Sequence, residues 1–454
     1  MLKAPDMTLS TTPDVHATDN EKKKKTPFDM FIIGGGVNGC AIARDASGRG
    51  LKVALAEQGD LAQSTSSKST KLFHGGLRYL EYGEIKLVRA ALQEREILLG
   101  AMPHIAWPMR FVLPLSREMR FDLNTPVSRL LSLVMPWTKG RRPSWMIRMG
   151  LWLYDMMGKR ELLQATATLN LADAPEGTPL KSKFKRAFEY SDVWVDDARL
   201  VVLNAVDALE NGAKIMTRSK VTSAQRENGL WRIEVEGQGT FFARTVINAG
   251  GPWVTEIIKD VAHQIPDANV RLVRGSHIIT RKLYEHDKAY FLQGTDGRII
   301  FLIPYEGDFT LIGTTEAPQA SDPLTAKISP SERQYLLDFA NTYLETSVTE
   351  DDVVSDYAGV RALFEDGASS ATAATREYVL RLDTKVAPLL SVFGGKITTH
   401  RKLAEDVMRQ LSDHISMGPK WTARVPLPGG DFPVGRHQQQ QDSLTQAHPY
   451  VTPS

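Results

Sequence analysis

A glycine-rich turn near the beginning of the chain constrains the fold more than any other feature of the sequence. A short apolar run at residues 29–33 stops at three consecutive glycines, and small and apolar residues then recur up to Ser47. This order is typical of a buried strand that enters a tight turn and continues as a helix. A second apolar run, Val53–Ala56, completes a strand-helix-strand unit of about 30 residues.

The glycines of this turn match the pattern G-x-G-x-x-G. Gly34 permits the tight turn, Gly36 lets a pyrophosphate approach the backbone, and Gly39 allows the helix to pack closely on the sheet. The helix N-terminus supplies amide donors, and Glu57 at the end of the second strand is placed to accept hydrogen bonds from ribose hydroxyls. The sequence therefore predicts a dinucleotide site in an α/β fold. The pattern leaves FAD and NAD open, because both carry the same adenosine diphosphate.

Composition excludes several other classes of protein. The chain has 55 basic and 53 acidic residues, a balance that does not suggest nucleic-acid binding. Cys40 is the only cysteine, so no disulfide can form within the chain, and a cytosolic setting fits best. We find no ligand cluster at metal spacing and no apolar run of the roughly 18 residues that a membrane-spanning helix needs.

Two segments bear on membrane contact. We expect residues 1–26 to be a disordered, solvated tail, although the lysine run at 22–25 leaves contact with anionic lipid as an alternative. Residues 141–160 are rich in Trp and Met and are bracketed by basic residues, a pattern that an interfacial helix also shows. We interpret them first as a buried helix and keep the interfacial helix as the alternative.

Later segments repeat the design of a strand that runs into glycines. A helix is expected over residues 72–99. We expect strands at residues 214–221, 231–235, 241–248, 299–303 and 309–313. Residues 246–253 and 391–399 each place paired glycines directly after an apolar run. Together with the first turn, they suggest one cofactor that several loops contact.

Two polar loops lie between these elements. Residues 65–71 are rich in hydroxyl groups and lysines, which could bind a ribityl chain and pyrophosphate, and a plain serine-rich loop is the alternative. The run His74-Gly75-Gly76-Leu77-Arg78-Tyr79 follows, where paired glycines would let the backbone pass close to a planar ring.

Several long motifs resemble the FAD-dependent, membrane-associated glycerol-3-phosphate dehydrogenases. They span about residues 27–430 and comprise Gly34 to Gly39, TSSKSTKLFHGGLRYLE at 65–81, FEYSDVWVDDARL at 188–200, Asn248 to Trp253, Gly359 to Leu363 and LSVFGGKITTHRKL at 390–403. The resemblance implies a Rossmann-type FAD-binding domain of the D-amino-acid-oxidase-like superfamily with an interleaved α+β substrate domain. It also implies oxidation of sn-glycerol 3-phosphate to dihydroxyacetone phosphate, with FAD as cofactor and membrane quinone as electron acceptor.

The resemblance assigns residues to the substrate and to the cofactor. Those expected at the substrate are Arg78, Tyr79, His277, Arg361, Arg376 and Lys396. Those expected to contact FAD, by motif or by resemblance, are Gly34, Gly36, Asn38, Gly39, Glu57, Thr65, Ser66, Lys71, His74, Gly75, Gly76, Ala249, Gly250, Gly395, Lys396 and Thr398. The set of cations suits a dianionic phosphate, which needs two or more cationic donors.

The expected chemistry removes a hydride from C2 of the substrate while a base takes the hydroxyl proton. His277 and His74 are the candidates for the base, and Arg361 or Lys396 could instead orient or polarise the oxygen. Two other functions stay open. One is a related flavoenzyme that acts on a hydroxy acid or an amine, and the other is a truncated flavin-binding protein without turnover.

We expect residues 27–104, 186–255 and 350–412 to form the FAD-binding domain, and residues 105–185 and 256–349 to form the substrate domain. Residues 116–142 look like an insertion of unassigned role. The similar dehydrogenases continue past the Pro-Gly-Gly at 428–430 with a helical domain, so we expect residues 413–454 to be its remnant, mostly tail. The resemblance implies a cytoplasmic protein held peripherally at the inner face of the cytoplasmic membrane, and it allows a homodimer.

Overall fold

The computed structural model describes residues 26–116, 143–158, 161–294, 298–365 and 377–450. The tail expected at residues 1–26, except for its last residue, lies outside this part of the chain, as does nearly all of the insertion expected at 116–142. The α-helices longer than one turn within the described ranges are α1 Val37–Gly48, α2 Ile85–Ala101, α3 Ser144–Met157, α4 Asp197–Glu210, α5 Pro330–Tyr343, α6 His400–Leu411 and α7 His437–Ala447.

The strands form two sheets. In chain order they are β1 Phe28–Ile33, β2 Val53–Ala56, β3 Leu72–Phe73, β4 Ala106–Pro114, β5 Ala167–Asn170, β6 Arg186–Val195, β7 Lys214–Met216, β8 Val221–Glu227, β9 Leu230–Val235, β10 Gly239–Asn248, β11 Val270–Arg281, β12 Ala289–Gln293, β13 Ile299–Tyr305, β14 Phe309–Gly313, β15 Ala317–Pro318, β16 Val353–Phe364, β17 Val379–Asp383 and β18 Leu389–Phe393.

The first sheet has the order β17-β18-β10-β1-β2-β7, with β9 on β10 and β8 on β9. Strands β18, β10, β1, β2 and β7 are parallel, so their carboxyl ends meet at one edge. Helices α1, α4 and α6 cover one face, and the aliphatic residues of α1 pack there against Ile32, Leu55 and Ile247. Parallel strands are buried on both faces, which explains why β1 and β2 read as continuous apolar runs.

The second sheet is mixed and has the order β15-β11-β14-β13-β12-β4-β6-β3, with β16 on β11 and β5 on β6. Helix α5 packs on one face through Leu336, Phe339 and Tyr343. The other face is rich in aromatic rings and packs against α2 and α3. This sheet forms the far wall of the site described below.

The first strand-turn-helix-strand unit is confirmed, as are the strands expected near residues 231–235, 241–248, 299–303 and 309–313. Other expectations need correction. Residues 72–73 form a strand and Leu77–Tyr82 a 3-10 helix before α2 begins, and the strand expected at 214–221 is two separate strands.

The expected division into domains does not follow the two sheets. Strands β6 and β16, which we assigned to the FAD-binding domain, pair with β4 and β11 in the second sheet. The pairing partners of β6 and β16 lie far away in sequence, so the local sequence pattern of these strands does not reveal which sheet they join. In the segment expected to be mostly tail, α7 forms a helix that buries none of its residues.

Helix α3 corrects the interpretation of residues 141–160. Only Leu151 and Tyr154 are buried, whereas Trp145, Met149, Trp152 and Met156 are 55%, 53%, 58% and 58% exposed. These four residues recur at intervals of four, three and four, which places them on one face of a helix. The expectation of a buried helix is therefore wrong. The helix carries apolar side chains on both of its sides, but only one side packs against the core. We call the four exposed residues the apolar stripe.

Candidate functional site

A cavity of about 1210 Å³ opens at the carboxyl ends of the parallel strands. Its wall includes Ile33, Ala56, Ala249 and Gly394, which end or directly follow β1, β2, β10 and β18. Ligands of open α/β sheets bind at this edge. The volume exceeds the ~300–1,000 Å³ of typical small-ligand pockets. The cavity is therefore large enough for an extended cofactor.

The glycine turn forms one end of the cavity. Gly34 has φ +112°, and a Cβ added there would lie 2.5 Å from the carbonyl oxygen of Ala249. Gly36 precedes the first residue of α1, and the N–H of Val37 donates to Ser66 Oγ at 2.9 Å. Gly36, Val37 and Asn38 line the cavity, so the N-terminus of α1 and the positive end of its dipole face it, as an anion such as a pyrophosphate requires.

Two polar side chains complete this end. Glu57 accepts hydrogen bonds from the N–H groups of Gly35 at 2.6 Å and Gly59 at 2.8 Å, so its carboxylate is held at the end of β2. Asn38 donates to the carbonyl of Gly394 at 3.2 Å, while its Oδ1 is buried without a hydrogen-bond partner among the described residues. An unsatisfied buried acceptor beside helix-terminal amides fits a bound polar group.

Some residues of the hydroxyl-rich loop at 65–71 line the cavity, and others do not. Thr65 and Ser66 line the cavity, and Thr65 Oγ1 also donates to the carbonyl of Val360 at 2.7 Å. Lys71 does not line it. Its Nζ lies 2.6 Å from Asp197 at the start of α4, and neither member of this ion pair lines the cavity.

The H-G-G loop forms part of the opposite wall. The N–H of His74 donates to Thr398 Oγ1 at 3.3 Å, and the N–H of Gly75 donates to the hydroxyl of Tyr154 at 2.7 Å. Gly76 has φ +73°, a left-handed conformation that favours glycine. The Nζ of Lys396 lies 3.9 Å from the ring centroid of Tyr79. Two distant motifs of the sequence therefore meet here.

Arg361 extends from β16 into the same cavity. Its guanidinium lies 3.5 Å from Glu316 and 3.4 Å from the hydroxyl of Thr314. Arginine keeps its charge and presents a planar fork of donors, so this wall is suited to an anionic oxygen group.

His277 lies behind this wall. Its side chain is 1% exposed, stacks on Tyr357 at 4.7 Å between ring centroids, and places Nε2 2.9 Å from the hydroxyl of Thr70. Burial, aided by the positive charges of Arg361 and Lys71, lowers the pKa of His277 to about 3. The imidazole is therefore neutral near pH 7, and its Nδ1 has no hydrogen-bond partner among the described residues.

The structure brings most of the residues expected from sequence to one cavity. Those in its wall are Gly34, Gly36, Asn38, Glu57, Thr65, Ser66, His74, Gly76, Tyr79, Ala249, Gly250, Arg361, Gly395, Lys396 and Thr398. Gly39, Lys71, Gly75 and His277 are described but do not line it. Arg376 lies outside the described residues, and so does the side chain of Arg78. The individual roles of all these residues stay predictions.

Sequence reasoning missed several wall residues: Tyr82, Asp192, Trp253, Phe301, Thr314 and Glu316. Asp192 carried a usable signal, because a carboxylate within the buried strand β6 needs partners. Burial raises the pKa of Asp192 to about 6, although the positive charge of Arg95 and hydrogen bonds from Tyr154, Arg95 and the N–H of Gly75 oppose that rise. No comparable local pattern marks Phe301 or Thr314, which lie within or beside ordinary strands of the second sheet.

The sequence profile of a family described as FAD dependent oxidoreductase matches residues 29–401. The chain belongs to this family. FAD is therefore its cofactor, and the helix-terminal amides, the glycine cradle and the unsatisfied Asn38 oxygen fit that group. Within the described residues, no cluster of three or more His, Cys, Asp or Glu side chains could hold a metal ion.

Individual relatives are similar over most of the chain. D-erythritol 1-phosphate dehydrogenase of Brucella abortus is 49% identical over 93% of this chain and 81% of its own length. Glycerol-3-phosphate dehydrogenase of Pseudomonas aeruginosa is 47% identical over 92% and 77%. The aerobic glycerol-3-phosphate dehydrogenase of Escherichia coli is 44% identical over 94% and 81%.

Solved structures agree on the fold. The glycerol-3-phosphate dehydrogenase of Bacillus halodurans, complexed with FAD, superposes with a TM-score of 0.67 at 26% identity, over 94% of this chain and 73% of that one. A glycine oxidase from Geobacillus kaustophilus reaches 0.61 at 19% identity, over 88% and 98%, and at that identity it shows only the shared fold. No helix in the described ranges combines the length and apolarity needed to cross a bilayer.

Proposed function

We propose that this protein oxidises sn-glycerol 3-phosphate to dihydroxyacetone phosphate with FAD and passes the electrons to a membrane quinone. The proposal depends on one observation, that a site for the cofactor and a group of polar side chains suited to a phosphorylated substrate line the same cavity. The glycine turn forms a site for the cofactor's pyrophosphate, and Arg361, His74 and Lys396 lie in the same cavity's wall. Dehydrogenases for glycerol 3-phosphate at 44% and 47% identity support the choice of substrate.

Bound FAD supplies a hydride acceptor at N5 of its ring. The chain must bind the phosphate, orient C2 and remove the hydroxyl proton. Arg361 binds the phosphate, because its guanidinium offers paired donors to anionic oxygens. Glu316 and Thr314 hold that guanidinium from the side of the second sheet. Lys396, which lies above the Tyr79 ring, adds a second donor on the same wall.

His74 is the proposed base. Its side chain lies in the cavity wall, edge-on to Phe301 at 6.5 Å between ring centroids, and imidazole is the side chain used most often as a general base. His277 suits this role less well, because it is buried behind Thr70 and a pKa of about 3 makes it a weak base. We propose that neutral His277 instead fixes Thr70 at the wall.

D-erythritol 1-phosphate is a second candidate substrate. The relative that acts on it by name is 49% identical, slightly more than the named glycerol-3-phosphate dehydrogenases. The two substrates share a phosphate and a secondary alcohol and differ by one carbon with its hydroxyl. One wall would therefore serve both, and the discrimination would depend on the space beyond the reacting carbon.

The experiment is a comparison of kcat/KM for sn-glycerol 3-phosphate and D-erythritol 1-phosphate, with a soluble quinone analogue as acceptor and glycerol and lactate as controls. We expect sn-glycerol 3-phosphate to give the highest value and the unphosphorylated compounds none. A higher kcat/KM for D-erythritol 1-phosphate selects the second candidate. Oxidation of lactate in preference to both phosphates would contradict the proposal.

Membrane quinone lies within a bilayer, so the proposed electron transfer requires contact between this protein and a membrane. We propose that the apolar stripe of α3 rests on the inner face of the cytoplasmic membrane as a peripheral contact. Two tryptophans and two methionines on one helical face suit the headgroup boundary, where Trp is favoured. A homodimer that buries the same stripe is the competing arrangement.

Sedimentation with vesicles of phosphatidylcholine and phosphatidylglycerol tests this contact. We expect the double variant Trp145→Ser, Trp152→Ser to lose most of its vesicle binding. A matched control replaces Ile265 and Val386, exposed apolar residues elsewhere, by serine and keeps binding. Equal binding by both variants would contradict the proposed surface. Conversion of a dimer to a monomer by the tryptophan variant alone would assign the stripe to the homodimer.

A further inference from the structure

The hydroxyl of Tyr154 joins α3 to the H-G-G loop. It accepts the hydrogen bond from the N–H of Gly75 at 2.7 Å and donates to Asp192, whose Oδ1 lies 2.8 Å away. Tyr154 is 1% exposed, so water does not compete for these bonds. The residue belongs to the buried side of α3, opposite the apolar stripe.

Buried partners fix the direction of both hydrogen bonds. Arg95 Nη1 lies 2.6 Å from Asp192 Oδ1 and also donates to the carbonyl of Ser191 at 2.8 Å. Burial holds the pKa of Tyr154 well above its usual value, so its proton stays in place. With Asp192 as acceptor, the phenol must donate to the carboxylate and use a lone pair for the N–H of Gly75.

The anchored loop belongs to the reaction site. His74 and Gly76 line the cavity on either side of Gly75, and Asp192 lines it as well. A Cβ added to Gly75 would lie 2.6 Å from Leu92 Cδ2 and 2.8 Å from Tyr154 Cε2, so the backbone is pressed against α2 and α3. A loop packed this closely takes its position from the groups that it contacts.

We propose that Tyr154 is a positioning residue whose hydroxyl fixes Gly75, and through it His74, at the cavity wall. This assignment rests on the proposed function in so far as His74 is the base. It also makes α3 a support of the reaction site, because one face of the helix holds the loop while the other carries the apolar stripe.

Tyr154→Phe tests the proposal, since it keeps the ring and removes only the hydroxyl. Tyr343→Phe is the matched control. Tyr343 is likewise buried, its hydroxyl donates to the carbonyl of Gln293 at 2.6 Å and accepts from the N–H of Gln293 at 3.3 Å, and it does not line the cavity. Both changes remove one buried hydroxyl that bridges two groups.

We expect Tyr154→Phe in the FAD-loaded protein to lower kcat about tenfold, the effect of about 1.4 kcal/mol on the barrier. The KM for sn-glycerol 3-phosphate and the affinity for FAD should change less than about twofold. Amide hydrogen exchange in a peptide that covers residues 72–82 should become about tenfold faster in this variant and stay unchanged in Tyr343→Phe.

Two results would overturn the assignment. One is unchanged exchange of the 72–82 peptide in Tyr154→Phe. The other is the same fall in kcat in both variants, which would mark a general loss of stability. If the unmodified protein does not oxidise the phosphate, the proposed function fails, while the exchange measurement still decides whether Tyr154 holds the loop.

Discussion

The two ends of the cavity are built in different ways. The cofactor end comes largely from the glycine turn and the segment that ends at Ser66, together with the turn after β10. The opposite wall combines His74, Phe301 and Arg361, which follow or lie in separate strands of the second sheet, with Lys396, which follows β18 of the first sheet, so this wall forms only when the two sheets pack together. A site built largely from one local unit depends mainly on backbone geometry, whereas a site assembled from distant strands depends on the packing that brings them together.

The largest effect is expected at the cofactor end. Gly36→Ala should weaken FAD binding about 1,000-fold, or about 4 kcal/mol, because a methyl group would occupy the cradle for the pyrophosphate. A Cβ there lies 3.1 Å from Ser66 Oγ, and the φ of −80° is ordinary for alanine. The FAD-free protein should therefore fold normally, and flavin fluorescence titration measures the affinity.

Gly100→Ala serves as the control, because the nearest atom to an added Cβ there is 4.0 Å away in Leu162. It should bind FAD like the unmodified protein. Unchanged FAD affinity in Gly36→Ala would contradict the claim that the pyrophosphate binds close to the backbone at Gly36.

At the opposite wall, Arg361→Gln should raise the KM for sn-glycerol 3-phosphate about 100-fold and leave FAD affinity unchanged. Loss of charge-assisted bonds to a phosphate accounts for about 2–3 kcal/mol. Arg381→Gln is the matched control, because Arg381 lies in β17 outside the cavity wall. Steady-state kinetics and flavin titration separate the two effects. A parallel loss of FAD binding would mean that the two ends are not independent.

The smallest expected effect concerns His277 and the stability of the second sheet. The pKa of His277 in the folded chain, about 3, lies below its usual value of about 6.5. Below about pH 6.5, His277 is therefore protonated in the unfolded chain but stays neutral in the folded chain. The free energy of unfolding consequently falls as the pH falls from about 6.5 toward 3.

His277→Asn removes this contribution. Between pH 7.5 and pH 5, the unmodified protein should lose about 2 kcal/mol more unfolding free energy than the variant does. Urea unfolding of the FAD-loaded proteins at both pH values measures the difference. Identical pH dependence of the two proteins would contradict a neutral, buried imidazole.

The same contrast explains what could be predicted from the sequence. The unit from β1 to β2 could be predicted because the apolar runs, the glycines and Glu57 lie within about 30 consecutive residues and obey local rules of strand, turn and helix. Arg361 and Lys396 were identified through long motifs that resemble a known family, whereas Thr314 and Glu316, which contact Arg361, were missed.

The differences between the expectations and the structure share a physical cause. Whether α3 is buried, and whether β6 joins the first or the second sheet, depends on contacts with residues far away in sequence. The partner of Lys71 likewise depends on a residue that is distant in sequence. Its ammonium matched the needs of a pyrophosphate, but the position of Asp197 on α4 decides its partner.

The most direct test of the central claim, that one cavity holds FAD at one end and a phosphorylated alcohol at the other, is anaerobic mixing. Purified, FAD-loaded protein is mixed with sn-glycerol 3-phosphate while the absorbance of bound flavin is followed, with glycerol as the control. The account predicts rapid bleaching by the phosphate, none by glycerol, and bleaching by the Arg361→Gln variant only at about 100-fold higher substrate concentration. Flavin that stays oxidised with the phosphate, or bleaching that does not depend on Arg361, would contradict it.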